Sequence, residues 1–147
     1  MTTVIDASVA IKWFVKESGH DEALDLLDQS EPLQAPDFIV PEVANIAWKK
    51  CLRGEITREQ AHTLVATLPH YVSVLHASVG LVERSLNLSL ALKHPVYDCL
   101  YIACVEYTDG VLVTADKRLC NVLRDNGFGA LVRLLGNPNL PDGPKRQ

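Results

Sequence analysis

The sequence predicts one α/β domain built around a parallel sheet, and three observations lead there. Short apolar runs rich in β-branched residues alternate with helical segments along the chain. Those runs are too continuously apolar for a sheet with one wet face, which indicates strands covered on both sides. The runs Val4–Ile5 and Val111–Val113 also stop in polar residues with a carboxylate close behind, Asp6 in one case and Asp116 in the other.

Taken in order, residues 2–5 form a buried-type strand that stops at Asp6. A helix over Ala7–Val15 follows, with Ser8 available as its cap. Ser18–Gln29 is a second helix with acidic residues in its first turn. Pro32 and Pro36 break the pattern and leave room for a very short strand at Gln34–Phe38. The next helix starts near Pro41, runs to about Arg53 and closes at Gly54. Thr57 and Gln60 form a capping-box pattern for a helix that ends at Pro69.

His70–Leu75 alternates as a strand does. Ala77–His94 carries leucines that satisfy both helical and strand spacing, and its length favours helix. Val96–Thr108 is a helix, Val111–Thr114 a strand, Asp116–Asn126 a helix closed by Gly127, and Ala130–Leu135 the last strand. Residues 1–135 thus form the domain, and 136–147 form a tail too rich in Pro and Gly to add an element.

With 147 residues, 48% of them hydrophobic, the chain can bury one sizeable core. Its formal net charge of −4 excludes binding to nucleic acid through overall charge. Contacts to RNA must then be local, or a metal must supply the positive charge. No apolar run reaches the roughly 20 residues of a transmembrane helix. The N-terminus lacks a basic leader, so a cytoplasmic protein with no membrane association is expected. Cys51, Cys99, Cys104 and Cys120 lack zinc-type spacing and are expected to be reduced thiols.

Four acids stand out. Asp6 and Asp116 follow strand ends, and ligands of open α/β sheets bind beyond the carboxyl ends of strands. Glu42 and Asp98 sit near helix starts, where dipole and free N–H groups stabilise a carboxylate by about 0.3–1 kcal/mol. Asp116 also fits a plain N-cap. Asp6 is harder to explain locally, because it loses hydration with no Lys or Arg adjacent in sequence. Carboxylates gathered at one edge repel one another, and a hard divalent cation with oxygen ligands relieves that repulsion.

At these residues the chain resembles the PIN-domain nucleases. The segments Val4–Val9, Pro41–Asn45, Tyr97–Ala103 and Val113–Lys117 are similar to the four motifs of that family, in the same order. Size and element order are most similar to the VapC-type toxins of toxin–antitoxin modules. The resemblance covers about residues 1–135 and implies a three-layer α/β/α sandwich with a central, mostly parallel sheet. It implies a magnesium-dependent (alternatively manganese-dependent) endoribonuclease, a homodimer, and a small cognate antitoxin that neutralises it. Carried over by position, Asp6, Asp98 and Asp116 are metal ligands, and Glu42 binds metal directly or through water and orients the attacking water. Thr114 matches a hydroxyl that hydrogen-bonds inside the site, and Ser8 and Asn45 are further candidates.

Candidate RNA contacts are Lys12, Lys49, Lys50, Arg53, Lys117 and Arg118, while Trp13 and Trp48 read as core or subunit-interface residues ahead of base-stacking groups. His94 reads as an ordinary helix-end histidine. Two other readings compete. A phosphoacceptor receiver domain needs an aspartate after the third strand, and Leu75–Ser78 offers none. A non-catalytic module that uses the fold to bind RNA or a partner protein predicts that neutral replacement of the four acids is tolerated.

Overall fold

A computed structural model describes residues 1–136. Its centre is a five-stranded, wholly parallel sheet in the order β3-β2-β1-β4-β5. The strands are β1 (Thr3–Ile5), β2 (Leu33–Pro36), β3 (Val74–His76), β4 (Val111–Thr114) and β5 (Val132–Leu134). Every residue of β1 and β4 is buried, as their unbroken apolar character requires.

Among the described residues, seven α-helices complete the α/β three-layer architecture: α1 (Ala7–Ala10), α2 (His20–Asp25), α3 (Ile39–Leu52), α4 (Arg58–Tyr71), α5 (Val82–Leu92), α6 (Val96–Thr108) and α7 (Lys117–Asp125). Helix α6 lies against β1, β2 and β4 and is itself covered by α5. That double contact explains why Cys99–Val105 is buried without interruption. Helix α3 packs on α4 and α1, and α7 packs on β5.

The chain leaves β1 toward β2 and β3, then returns to add β4 and β5 on the other side of β1. The boundary between β1 and β4 is therefore a topological switch point, where a crevice opens beyond the strand ends. Ile5 pairs with Val113 in register, so the residues after each strand leave the sheet side by side.

Several boundaries differ from the expected ones. The first helix is capped by Asp6 rather than Ser8 and passes after Ala10 into a 3₁₀ turn, Ile11–Trp13. The second is shorter, beginning after Gly19 at φ +91° and giving way to a 3₁₀ turn at Leu26. Helix α3 begins at Ile39, before Pro41, yet Glu42 remains near its N-terminus. Helix α4 runs past Pro69 to Tyr71, since a proline in the last turn removes little of the hydrogen-bond ladder. Its capping box at Thr57 and Gln60 is present.

The ambiguous segment 77–94 is a 3₁₀ turn followed by α5. Leu88 of α5 is buried while Leu86 and Leu90 are exposed, which is why leucines at every second position imitated a strand. The last strand is a short one after the turn Gly129–Leu131. Apart from Gly136, the tail lies outside the described residues. Among the described residues, the four cysteines are free thiols and no helix is long and apolar enough to cross a membrane.

Candidate active site

Asp6 follows β1 at the switch point and is 7% exposed. Both its carboxylate oxygens accept hydroxyl donors: Ser8 Oγ donates to Oδ1 at 2.6 Å and Thr114 Oγ1 donates to Oδ2 at 2.5 Å. The Val9 backbone N–H also donates to Oδ1, at 3.3 Å. Ser8 Oγ in turn accepts from the Ala115 N–H at 2.9 Å, and Thr114 Oγ1 accepts from the Asp116 N–H at 3.1 Å. Two hydroxyls thereby stitch the end of β1 to the end of β4. Ser8 reaches Asp6 from two residues away, whereas Thr114 reaches it only because β1 and β4 pair.

Glu42 and Asp98 enter from α3 and α6. The Tyr101 hydroxyl donates to Glu42 Oε1 at 2.5 Å, joining the two helices across the crevice. Tyr101 is 1% exposed, so this phenol is committed to that single contact inside the core. His94 Nε2 lies 2.7 Å from Asp98 Oδ2 and ties the second residue before α6 to its first turn. Tyr101 and His94 are contacts that sequence reasoning missed or set aside. Tyr101 stands 59 residues from Glu42. The i, i+4 spacing of His94 and Asp98 was a readable signal for that pair.

Asp116 caps α7, its Oδ1 accepting from the Leu119 N–H at 3.1 Å. This is the helix-cap geometry that its sequence position allows, and it leaves Oδ2 free of protein donors among the described residues. Asn45 is exposed on α3, with no side-chain hydrogen bond among the described residues.

The basic candidates divide into two groups. Lys12, Lys50 and Arg53 are engaged in ion pairs with Glu17 and Glu55. Lys49, Lys117 and Arg118 are exposed and form no ion pair among the described residues. Trp13 is a core residue, its indole N–H donating to the Ala23 carbonyl at 2.7 Å. Trp48 is exposed and lines a groove of about 450 Å³ between α3 and α4.

Burial pushes the Asp6 carboxyl up to about 6, against the pull of its Ser8, Thr114 and Val9 donors, and the charge of Asp98 adds to the rise. Burial likewise pushes Glu42 up to about 7 despite the Tyr101 hydrogen bond, with Asp6 and Asp98 both contributing. These acids thus sense one another's charge. Asp6, Glu42 and Asp116 have no Lys, Arg or His partner among the described residues, and Asp98 has only His94.

Among the described residues, no three Asp, Glu, His or Cys side chains close into a metal cage. The donor set is nonetheless all oxygen, uncompensated, and open. Glu42 Oε2, Asp98 Oδ1 and Asp116 Oδ2 receive no protein hydrogen bond among the described residues. Such a set suits a hard cation that keeps most of its waters, as magnesium does, and does not suit a thiolate- or imidazole-seeking metal.

The sequence model of the PIN domain matches residues 3–124. The chain belongs to the PIN-domain family. Within it the chain is similar to ribonuclease VapC3 of Pyrobaculum aerophilum, with 32% identity over 123 residues, 81% of this chain and 92% of that protein. The VapC20 toxin of Mycobacterium tuberculosis, a sarcin–ricin loop cleaving protein, superposes with a TM-score of 0.65 at 13% identity over 82% of this chain and 94% of that one. A chain of a toxin–antitoxin complex from Klebsiella pneumoniae gives 0.60 at 21% identity over 80% and 88% respectively. The two structures establish the shared fold, and both the PIN-domain resemblance read from the four motifs and the VapC likeness read from size and element order are borne out.

Proposed function

We propose that this protein is a magnesium-dependent endoribonuclease that acts as the toxin of a toxin–antitoxin pair. The observation that carries the reading is Asp6, a buried carboxylate at the β1–β4 switch point, held by two hydroxyls and adjoined by further acids without a cation. A bound magnesium ion, or manganese in its place, supplies positive charge that offsets the carboxylates and draws in a phosphate that the acidic surface repels. Asp6, Asp98 and Asp116 are the residues to hold it, with Glu42 in contact directly or through water.

The chain's own residues then have distinct tasks. Ser8 and Thr114 fix the plane of the Asp6 carboxylate. Tyr101 fixes Glu42 and leaves Oε2 to orient the attacking water. The water oxygen bonds to phosphorus as one ester P–O bond of the RNA breaks; Glu42 is suited to take the water's proton, and the leaving oxygen takes a proton from solvent. Lys117 and Arg118, exposed and next to Asp116 in sequence, are the basic residues we assign to the phosphate backbone.

The toxin–antitoxin complex of similar fold supports an antitoxin as partner, and a homodimer is the assembly we propose for the toxin itself. Expression without a partner is expected to slow growth and to leave cellular RNAs cut at defined positions, and Asp6→Asn is expected to abolish both effects. Equal toxicity and equal cleavage from the variant would assign the effect to some other site.

A further inference from the structure

Phe38 immediately precedes α3, and Tyr97 lies in the first turn of α6. Their rings stack nearly parallel, with centroids 5.0 Å apart and planes 6° from each other. Phe38 stands four residues before Glu42 and Tyr97 four before Tyr101. The same two helices therefore meet twice, first through the ring pair and, one turn of about 5.4 Å deeper, through the Tyr101–Glu42 hydrogen bond. With one face covered by Phe38, Tyr97 is still 61% exposed. Phe38 is partly buried against the core, so the platform is anchored from below and open above.

We propose that the Phe38–Tyr97 pair is a nucleobase-stacking subsite for single-stranded RNA, which rests on the ribonuclease reading of the adjoining carboxylates. A nucleotide whose phosphate reaches the acids has its base about one helical turn away, at the level of the rings. An aromatic face accepts any base, so the subsite supplies affinity without a base code. It also favours unpaired RNA, because a base in a duplex is already stacked between its neighbours. In a chain of net charge −4, such a contact binds the substrate without adding a cation.

The test is equilibrium binding of a single-stranded oligoribonucleotide carrying 2-aminopurine, with calcium in place of magnesium so that the carboxylates are neutralised while cleavage is suppressed. Fluorescence quenching reports stacking of the base. Wild type and Tyr97→Phe are expected to bind with quenching, whereas Tyr97→Leu loses the quench and about 5- to 150-fold in affinity. The same sequence as a duplex is expected to bind weakly and without quenching.

Circular dichroism of Tyr97→Leu checks that its fold is kept, and Phe38→Leu provides a second ring deletion with the same expected loss. Wild-type affinity and quenching in both leucine variants overturn the assignment and leave the rings to a protein partner. Cleavage of the oligonucleotide by wild type in magnesium, measured in parallel, reports separately on the ribonuclease reading.

Discussion

A carboxylate at the end of a central strand loses water on both faces of the sheet. At Asp6 that loss is met by two hydroxyls and one N–H rather than by a cation. Its carboxyl rises from 3.8 to about 6, so the neutral form is favoured by folding. The sign follows directly. Stability from this group is complete below the unfolded value near 4 and is lost as pH rises through 6. A shift of about 2 units corresponds to about 3 kcal/mol. In EDTA, Asp6→Asn is therefore expected to be more stable to urea than wild type at about pH 8, with the gap closing near pH 4. A variant weaker than wild type by the same amount at both values would show that the carboxylate is not strained. The sequence already marked Asp6 as costly, because an apolar strand ran straight into it. As partners of that carboxylate, Ser8, two residues on, and Thr114, 108 positions away, entered the reading only through the family resemblance, and the pairing of β1 with β4 is what brings Thr114 to the carboxylate.

Between elements, the decisive contact joins α3 to α6. A hydrogen bond to a charged group contributes about 1.5–3 kcal/mol, roughly 10- to 150-fold in rate if it acts in the transition state. Tyr101→Phe is accordingly expected to lower kcat for magnesium-supported cleavage by at least about tenfold, with KM little changed. In a Glu42→Gln background the same substitution should add almost nothing, and full additivity of the two losses would remove Tyr101 from its positioning role. Features written locally were the legible ones here. The Thr57–Gln60 capping box, Gly54 after α3 and Gly127 after α7 all emerge from neighbouring residues. Tyr101 looked like one more apolar position of a buried helix, and its role is set by α3, which only tertiary packing brings near. The start of α5 was obscured for a related reason, since leucines at alternate positions serve opposite faces of a helix.

Across the whole molecule, alternating strands and helices specified a parallel α/β domain, but not which strands are neighbours. The order β3-β2-β1-β4-β5 depends on pairings between distant segments, and it is this order that sets Asp6 beside Thr114. The four acids were each readable as strand-end or helix-start residues, while the shared environment of Asp6, Glu42 and Asp98 arises only when the sheet, α3 and α6 assemble. Net negative charge then becomes intelligible, because an acidic crevice without lysine or arginine partners is suited to a divalent cation and a phosphate together. The most direct measurement of that claim is cleavage of single-stranded RNA by the purified protein, with and without magnesium, for wild type and Asp6→Asn. Cleavage by wild type that requires magnesium and is abolished in the folded variant is the expected result. Cleavage that persists in EDTA, or that survives in Asp6→Asn, would contradict it.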